Sequence, residues 1–334
     1  LLATLASDDI IYSGVKFLAL LLVVGVFSPL VRSKTARSIR DSLWRNLCFS
    51  AVIVVALSLL FEISGIPIPI LYSKQGSAGI TSHAMLFGPI AGMASIYSIS
   101  KALAEKRLIY LVISLFCYLA CLTSLSRVAV VSTTFGLAAV VILRIGNMKL
   151  IRYGLIPVVL VGTSLAMFNG LSLEGRINEF GNVEAFASKG TGTSSREELW
   201  DARISEFNSN KFLGLGIGMS SEYDRGVEGF VGTVEPGSAY LVVLSMTGSI
   251  GALALFIFIG KAILDVIRVW NYVPQRTRYE ISGVGLFLFI HGSAEGWIYS
   301  PGGLMCLFFW LWLGRMGDAA DYVKYPKLKL DIRI

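Results

Sequence analysis

The chain has 334 residues, of which 54% are hydrophobic and only 15% charged. Soluble domains carry roughly 25% charged residues, so a single soluble globular domain is excluded. The net charge of +7 does not indicate nucleic acid, because the basic residues are scattered through short connections instead of forming one patch.

Apolar runs near 20 residues mark spanning helices, and the strand-like alternation of a membrane barrel is absent. The first span is expected near 14–31, followed by Arg32, Lys34, Arg37, Arg40 and Arg45. The second covers 47–63 and leads into a Pro/Gly/Ser-rich loop, Ser64 to Ser82. The third, 84–100, ends in Lys101, Lys106 and Arg107. The fourth and fifth, 108–123 and 128–144, are separated only by Ser124 to Arg127. Arg144, Lys149 and Arg152 precede the sixth, 153–169. A long polar passage, 171–238, interrupts the series. The seventh, eighth and ninth spans are expected at 239–264, 281–298 and 302–314, with a basic tail over 317–334.

The fold class is therefore all-α, a polytopic transmembrane helical bundle of about nine spans. Its parts are six N-terminal spans (1–170), a large loop (171–238), three C-terminal spans (239–316) and the tail. The chain starts at Leu1 instead of Met, and the expectation is either a fragment or a missing N-terminus, with room for earlier spans.

Lys and Arg crowd every second connection. By the positive-inside rule those connections are cytoplasmic. The long passage then lies outside the cytoplasm, in the periplasm of a Gram-negative cell, and the C-terminus lies inside. Cys48, Cys117, Cys121 and Cys306 sit within or at the ends of apolar runs. They read as buried thiols, with neither a disulfide framework nor zinc spacing.

Within the passage, Ser194 or Ser195 to Asn208 reads as an amphipathic helix. A Ser cap precedes Glu197 and Glu198 in the first turn, where acids suit the helix dipole, and Trp200 suits a membrane interface. The run Leu213-Gly-Leu-Gly-Ile-Gly218 follows no βαβ unit and is not a nucleotide fingerprint. It predicts a tight backbone turn at the membrane face.

Four arginines are candidate anion contacts. Arg127 lies at or just inside the outer membrane face, where a guanidinium fork suits phosphate oxygens or else snorkels to the surface. Arg196 stands in the first turn of its helix, among free N–H groups that favour an anion. Arg176 and Arg203 are similar but weaker candidates. The candidate bases are His83, Glu235, and His291 with Glu295. The last two are four apart, which on one helix would put them on a shared face; a hydrogen-bonded structural pair is the alternative. The two histidines are too far apart in sequence for a convincing metal site.

Ser126-Arg127 at a span head, Ser195-Arg196 followed by Trp200, Lys211-Phe-Leu-Gly-Leu-Gly-Ile-Gly218, and Tyr240-Leu241 running into Gly248-Ser-Ile-Gly251 resemble the O-antigen ligase and polymerase superfamily in order and topology. The resemblance covers roughly 80–315. It implies an inner-membrane glycosyltransferase without cofactor or metal, taking an undecaprenyl-diphosphate-linked glycan as donor on the periplasmic face. The implied acceptor is a second glycan or lipid A core, and membrane lipids and other polysaccharide-assembly proteins are the implied partners. Arginines of the family contact the diphosphate, a role that carries to Arg127 and Arg196. Ligases have a His-Asn pair just before the Tyr-Leu; here those positions are Gly237 and Ser238. This departure inclines the expectation to a polymerase, or to a base from Glu235, His83 or His291. A transporter is the reading from another class, but neither inverted repeats nor broken helices are evident in the sequence.

Overall fold

The structure is a computed structural model that describes residues 1–64, 77–81, 83–124, 126–145, 194–220 and 237–324. Every regular element among them is helical. In chain order they are α1 (Leu2–Leu5), α2 (Ile10–Phe27), α3 (Lys34–Ser64), α4 (Ala84–Glu105), α5 (Leu108–Thr123), α6 (Arg127–Ile145), α7 (Ser194–Ser209), α8 (Ala239–Arg268), α9 (Gln275–Ala294) and α10 (Leu304–Lys324). A short 3-10 turn, Trp270–Tyr272, joins α8 to α9. Four of the described helices, α2, α3, α6 and α8, are long and apolar enough to cross a membrane, and α5 is a shorter apolar helix. The chain is a polytopic helical membrane protein.

The expected spans over 84–100, 108–123, 128–144 and 239–264 fall on α4, α5, α6 and α8. The sixth, 153–169, lies outside the described residues. Several boundaries differ from the sequence reading: the first span runs over Ile10–Phe27, not 14–31, and three others differ as follows. The 31 residues of α3 extend over roughly 46 Å, well beyond a hydrocarbon core of about 30 Å, because the helix begins inside the basic connection. Ser33 starts it there, accepting the Ala36 N–H on Oγ at 3.0 Å. The eighth span stops at Ala294, not 298. The ninth runs on to Lys324, so the first part of the expected tail is helix.

The chain divides into two compact units. The first comprises Leu1–Arg37, Ser172–Val269 and Gly292–Ile334; the second comprises Ser38–Leu171 and Trp270–His291.

In the first unit α8 packs against α7 and α10, and α10 against α2. Arg37, largely buried, donates from Nη2 to Asp321 at 2.8 Å, and its Nε lies 3.5 Å from Asp318. Gly317 lets α10 press on Pro29, since a Cβ there would strike the proline ring.

In the second unit α4 is the hub, packed on both α5 and α6. Most of it is buried, including Ala91, Met93, Ala94 and Ile96. Small residues bring the helices close: Ser95 and Ser114 exchange Oγ-to-carbonyl hydrogen bonds at 2.8 and 2.9 Å across α4 and α5. Helices in lipid associate through such close packing and interhelical hydrogen bonds. All four cysteines are free and buried, as their apolar settings predict.

Candidate functional site

The second unit gathers three of the sequence candidates at one end. Its helices share a register that can be followed residue by residue. At the other end, Arg276 of α9 donates to Tyr97 at 3.0 Å and lies 3.4 Å from Glu105 on α4. In the middle, a Cβ on Gly283 would come 2.8 Å from Ile96 and 3.1 Å from the Gly136 carbonyl. Further along, a Cβ on Gly92 would meet Phe287 at 3.0 Å. Helix α9 therefore runs antiparallel to α4, and one more turn carries His291 to the level of Gly88. Gly88 faces Ser124, Ser126 and Ala129, the turn into α6 that presents Arg127. His83 caps the same end of α4.

The three side chains differ in what they can do. Arg127 is exposed at the first position of α6, where unbonded backbone amides add partial positive charge to its guanidinium. His83 has extended backbone and accepts the Met85 N–H on Nδ1 at 3.1 Å. That bond fixes the neutral tautomer with the proton on Nε2. The nitrogen a general base needs is thus spent on the helix cap. His291 is buried in the last turn of α9 and stacks on Phe287, with ring centroids 5.3 Å apart and planes 16° from parallel. The shared helix face expected for His291 and Glu295 is not formed: α9 ends at Ala294, so Glu295 follows the helix instead of continuing its 3.6-residue period.

The first unit holds the remaining candidates. Helix α7 spans Ser194–Ser209, matching the expected helix; Arg196 lies in its first turn, and its side chain is outside the described part. Arg203 is buried and donates from Nη1 to Glu206 at 2.7 Å, an i,i+3 pair with both side chains 2% exposed. The guanidinium is thus engaged by its own helix. Arg176 and Glu235 lie outside the described residues.

Two features of this unit were not visible in the sequence. Helix α8 is broken at Gly248, where φ is 62° and ψ −172°, a conformation open only to glycine. The glycine run docks onto the break. Leu215 and Gly216 donate N–H to the Ser245 and Met246 carbonyls at 2.9 and 3.0 Å. Beyond the break, Ser249 and Ile250 donate to the Lys211 and Phe212 carbonyls at 2.8 and 3.3 Å. The backbone groups freed by the kink are thus satisfied by protein, the condition for irregular backbone at membrane depth. The expected tight turn is real, with φ of 71°, 106° and 81° at Gly214, Gly216 and Gly218. Tyr299, in the turn after α9, also reaches the break. Burial pushes its phenol up to about 12, against a smaller lowering by its hydrogen bond with Thr247.

Gly237 has a structural reason to lack a side chain. Its φ is 72°, its carbonyl accepts Trp200 Nε1–H at 3.1 Å, and a Cβ there would lie 3.0 Å from that of Leu199. Ser238 is the N-cap residue of α8.

The class is that of a polytopic helical membrane protein. Residues 109–256 match the family model described as O-antigen ligase, a match that supports the O-antigen ligase and polymerase superfamily for this chain. The matched segment runs from α5 into α8. It includes Arg127, Arg196, Arg203, the glycine run and the break, and excludes His83, His291 and Glu295. The family implies an enzyme of the glycosyltransferase type acting in O-antigen assembly. No curated protein matches the chain.

Proposed function

We propose that this protein polymerises lipid-linked repeat units of O-antigen or a related surface polysaccharide on the periplasmic face of the bacterial inner membrane. The donor is an undecaprenyl-diphosphate-linked glycan, and the acceptor is a second glycan of the same kind. A hydroxyl oxygen of the acceptor bonds to the donor's anomeric carbon. The bond from that carbon to the diphosphate oxygen breaks, and its electron pair leaves with the lipid diphosphate. The hydroxyl proton passes to a base.

Arg127 is assigned to the diphosphate, whose charge grows as the bond breaks. Donors fixed in a partly dry site stabilise such charge strongly. Arg196 and Arg176 are retained as further diphosphate contacts on the resemblance alone. His291 is the favoured base because it is an imidazole buried in the unit that carries Arg127, at the same end of its helices. Glu235 and Glu295 are the alternatives.

The observation that carries polymerase over ligase is Gly237. The position where a ligase has histidine is filled by a residue whose backbone and neighbours suit glycine. A ligase transferring the glycan to lipid A core is the second reading, supported by the description of the matching family model.

Deletion of the gene, with surface polysaccharide resolved on a gel, separates the readings. Single repeat units still joined to the final acceptor are the result expected of a lost polymerase. Unattached polymer on the lipid carrier would indicate a ligase, and an unchanged pattern would overturn both. Arg127→Ala, at wild-type membrane abundance, is expected to lower polymer formation roughly 100-fold or more; full activity would end its assignment to the diphosphate.

A further inference from the structure

We propose that Lys16 and Ser13 of α2, with the Gly216–Gly218 turn laid against them, form a further phosphate seat for the donor's lipid diphosphate. The inference rests on the reaction proposed above and on the sidedness that places the start of α2 outside. Lys16 is the one charged residue of α2. It lies six residues, or roughly 9 Å, from the first turn, a depth reached by lipid head groups. Ionisable side chains in spanning helices usually face protein or a polar cavity and mark substrate paths. Lys16 is half-buried and places Nζ 5.3 Å from the centre of the Tyr12 ring, towards the start of the helix. It has no carboxylate partner among the described residues. Asp9, at the head of α2, spends its carboxylate on the Tyr12 N–H at 2.9 Å.

Ser13, three residues before Lys16 and so on the same face, is fully buried, yet its Oγ makes no hydrogen bond. Native proteins seldom leave such a group unsatisfied. Both side chains face the glycine turn. A Cβ on Gly216 would come 2.8 Å from Ser13 Oγ, and one on Gly218 would come 2.8 Å from Lys16 Cγ. The Gly218 N–H donates only to the Met246 thioether, at 3.4 Å, a weak acceptor that an anion would outcompete. The Lys16 stem and the unused Ser13 hydroxyl thus lie along one face of α2 against the glycine turn that carries the poorly used Gly218 amide, and the flexible Lys16 side chain can bring its ammonium to that turn. All three are donors, which selects a phosphate-type ligand and disfavours a cation.

A merely structural lysine would only snorkel to the surface, and binding measurements separate the two roles. The full chain, purified in nanodiscs, is titrated with undecaprenyl diphosphate and separately challenged with phosphatidylglycerol. Lys16→Met is expected to weaken undecaprenyl diphosphate binding about 10-fold, the loss of one charge-assisted hydrogen bond, while Lys16→Arg retains most of it. Ser13→Ala is expected to weaken binding about threefold while leaving the melting temperature unchanged or raised, since it removes an unsatisfied buried hydroxyl. If Lys16→Met and Ser13→Ala bind like wild type, the seat is overturned while the polymerase reading stands on its gel result. If Lys16 governs phosphatidylglycerol binding alone, the assignment to the donor is overturned in favour of a structural phospholipid.

Discussion

In the second unit Gly92, Gly136 and Gly283 are ordinary helical residues, placed where a methyl group would strike a neighbouring helix. In the first unit Gly214, Gly216, Gly218 and Gly248 all have positive φ, and they bend the chain instead of bringing straight helices together. One unit uses glycine to tighten a scaffold, as small residues do between membrane helices. The other uses it to open a helix and to build the loop that refills the opening. The second unit therefore draws straight helices close together, and the first spends its loop backbone on satisfying the broken helix.

This contrast can be broken at chosen points, and the largest effect is expected at the helix break. Gly248→Ala places a methyl against the Phe212 carbonyl group and 2.6 Å from the Leu213 nitrogen. Backbone cannot yield as a side chain can, and alanine does not adopt this φ and ψ, so a cost of about 3 kcal/mol or more is expected. Membrane abundance and melting temperature in detergent should both collapse; a stable, active variant would show that the loop does not need the break. Arg203→Ala comes next, at about 3–5 kcal/mol, because Glu206 is left charged and buried. The double variant Arg203→Met, Glu206→Leu should recover stability. If it also recovers polymer formation, Arg203 is structural; persistent inactivity in a stable double variant would restore it as a phosphate contact.

Smaller effects test the scaffold side. Gly136→Ala brings a methyl within 2.7 Å of the Gly283 carbonyl oxygen, an overpacking expected to cost about 1–3 kcal/mol. Wild-type melting would mean the helices of the second unit can separate freely. Gly260→Ala is the control. No atom lies within 4 Å of the added methyl, and replacing a helical glycine stabilises by roughly 0.5–1 kcal/mol. A melting temperature at or slightly above wild type is expected, and a large fall would contradict the open position of Gly260.

The helices were legible because hydropathy and capping are local properties. The Ser-rich start and acidic first turn announced α7, and Ser124 to Arg127 announced the tight reversal between α5 and α6. The glycine run announced a turn, but its partner did not: Gly248 looks like any glycine in a spanning helix until Leu215 and Gly216 are seen donating to the turn before it. His291 and Glu295 misled because four-residue spacing means a shared face only while the helix lasts, and α9 ends between them. The pairing of Arg203 with Glu206 was not legible, because the burial of both depends on packing that no local pattern encodes. The setting of Lys16 is hidden for the same reason, since only the folded loop brings Gly218 beside it.

The ion pair of Arg37 with Asp321 joins residues 284 positions apart. A bacterial ribosome adds about 5–20 residues each second, so α2 and the start of α3 wait tens of seconds in the membrane before α10 exists to receive them. During that interval Arg37 has neither Asp318 nor Asp321 to pair with. The guanidinium is buried against them only once the rest of the chain has been made, so this ion pair is among the last contacts of the first unit to close.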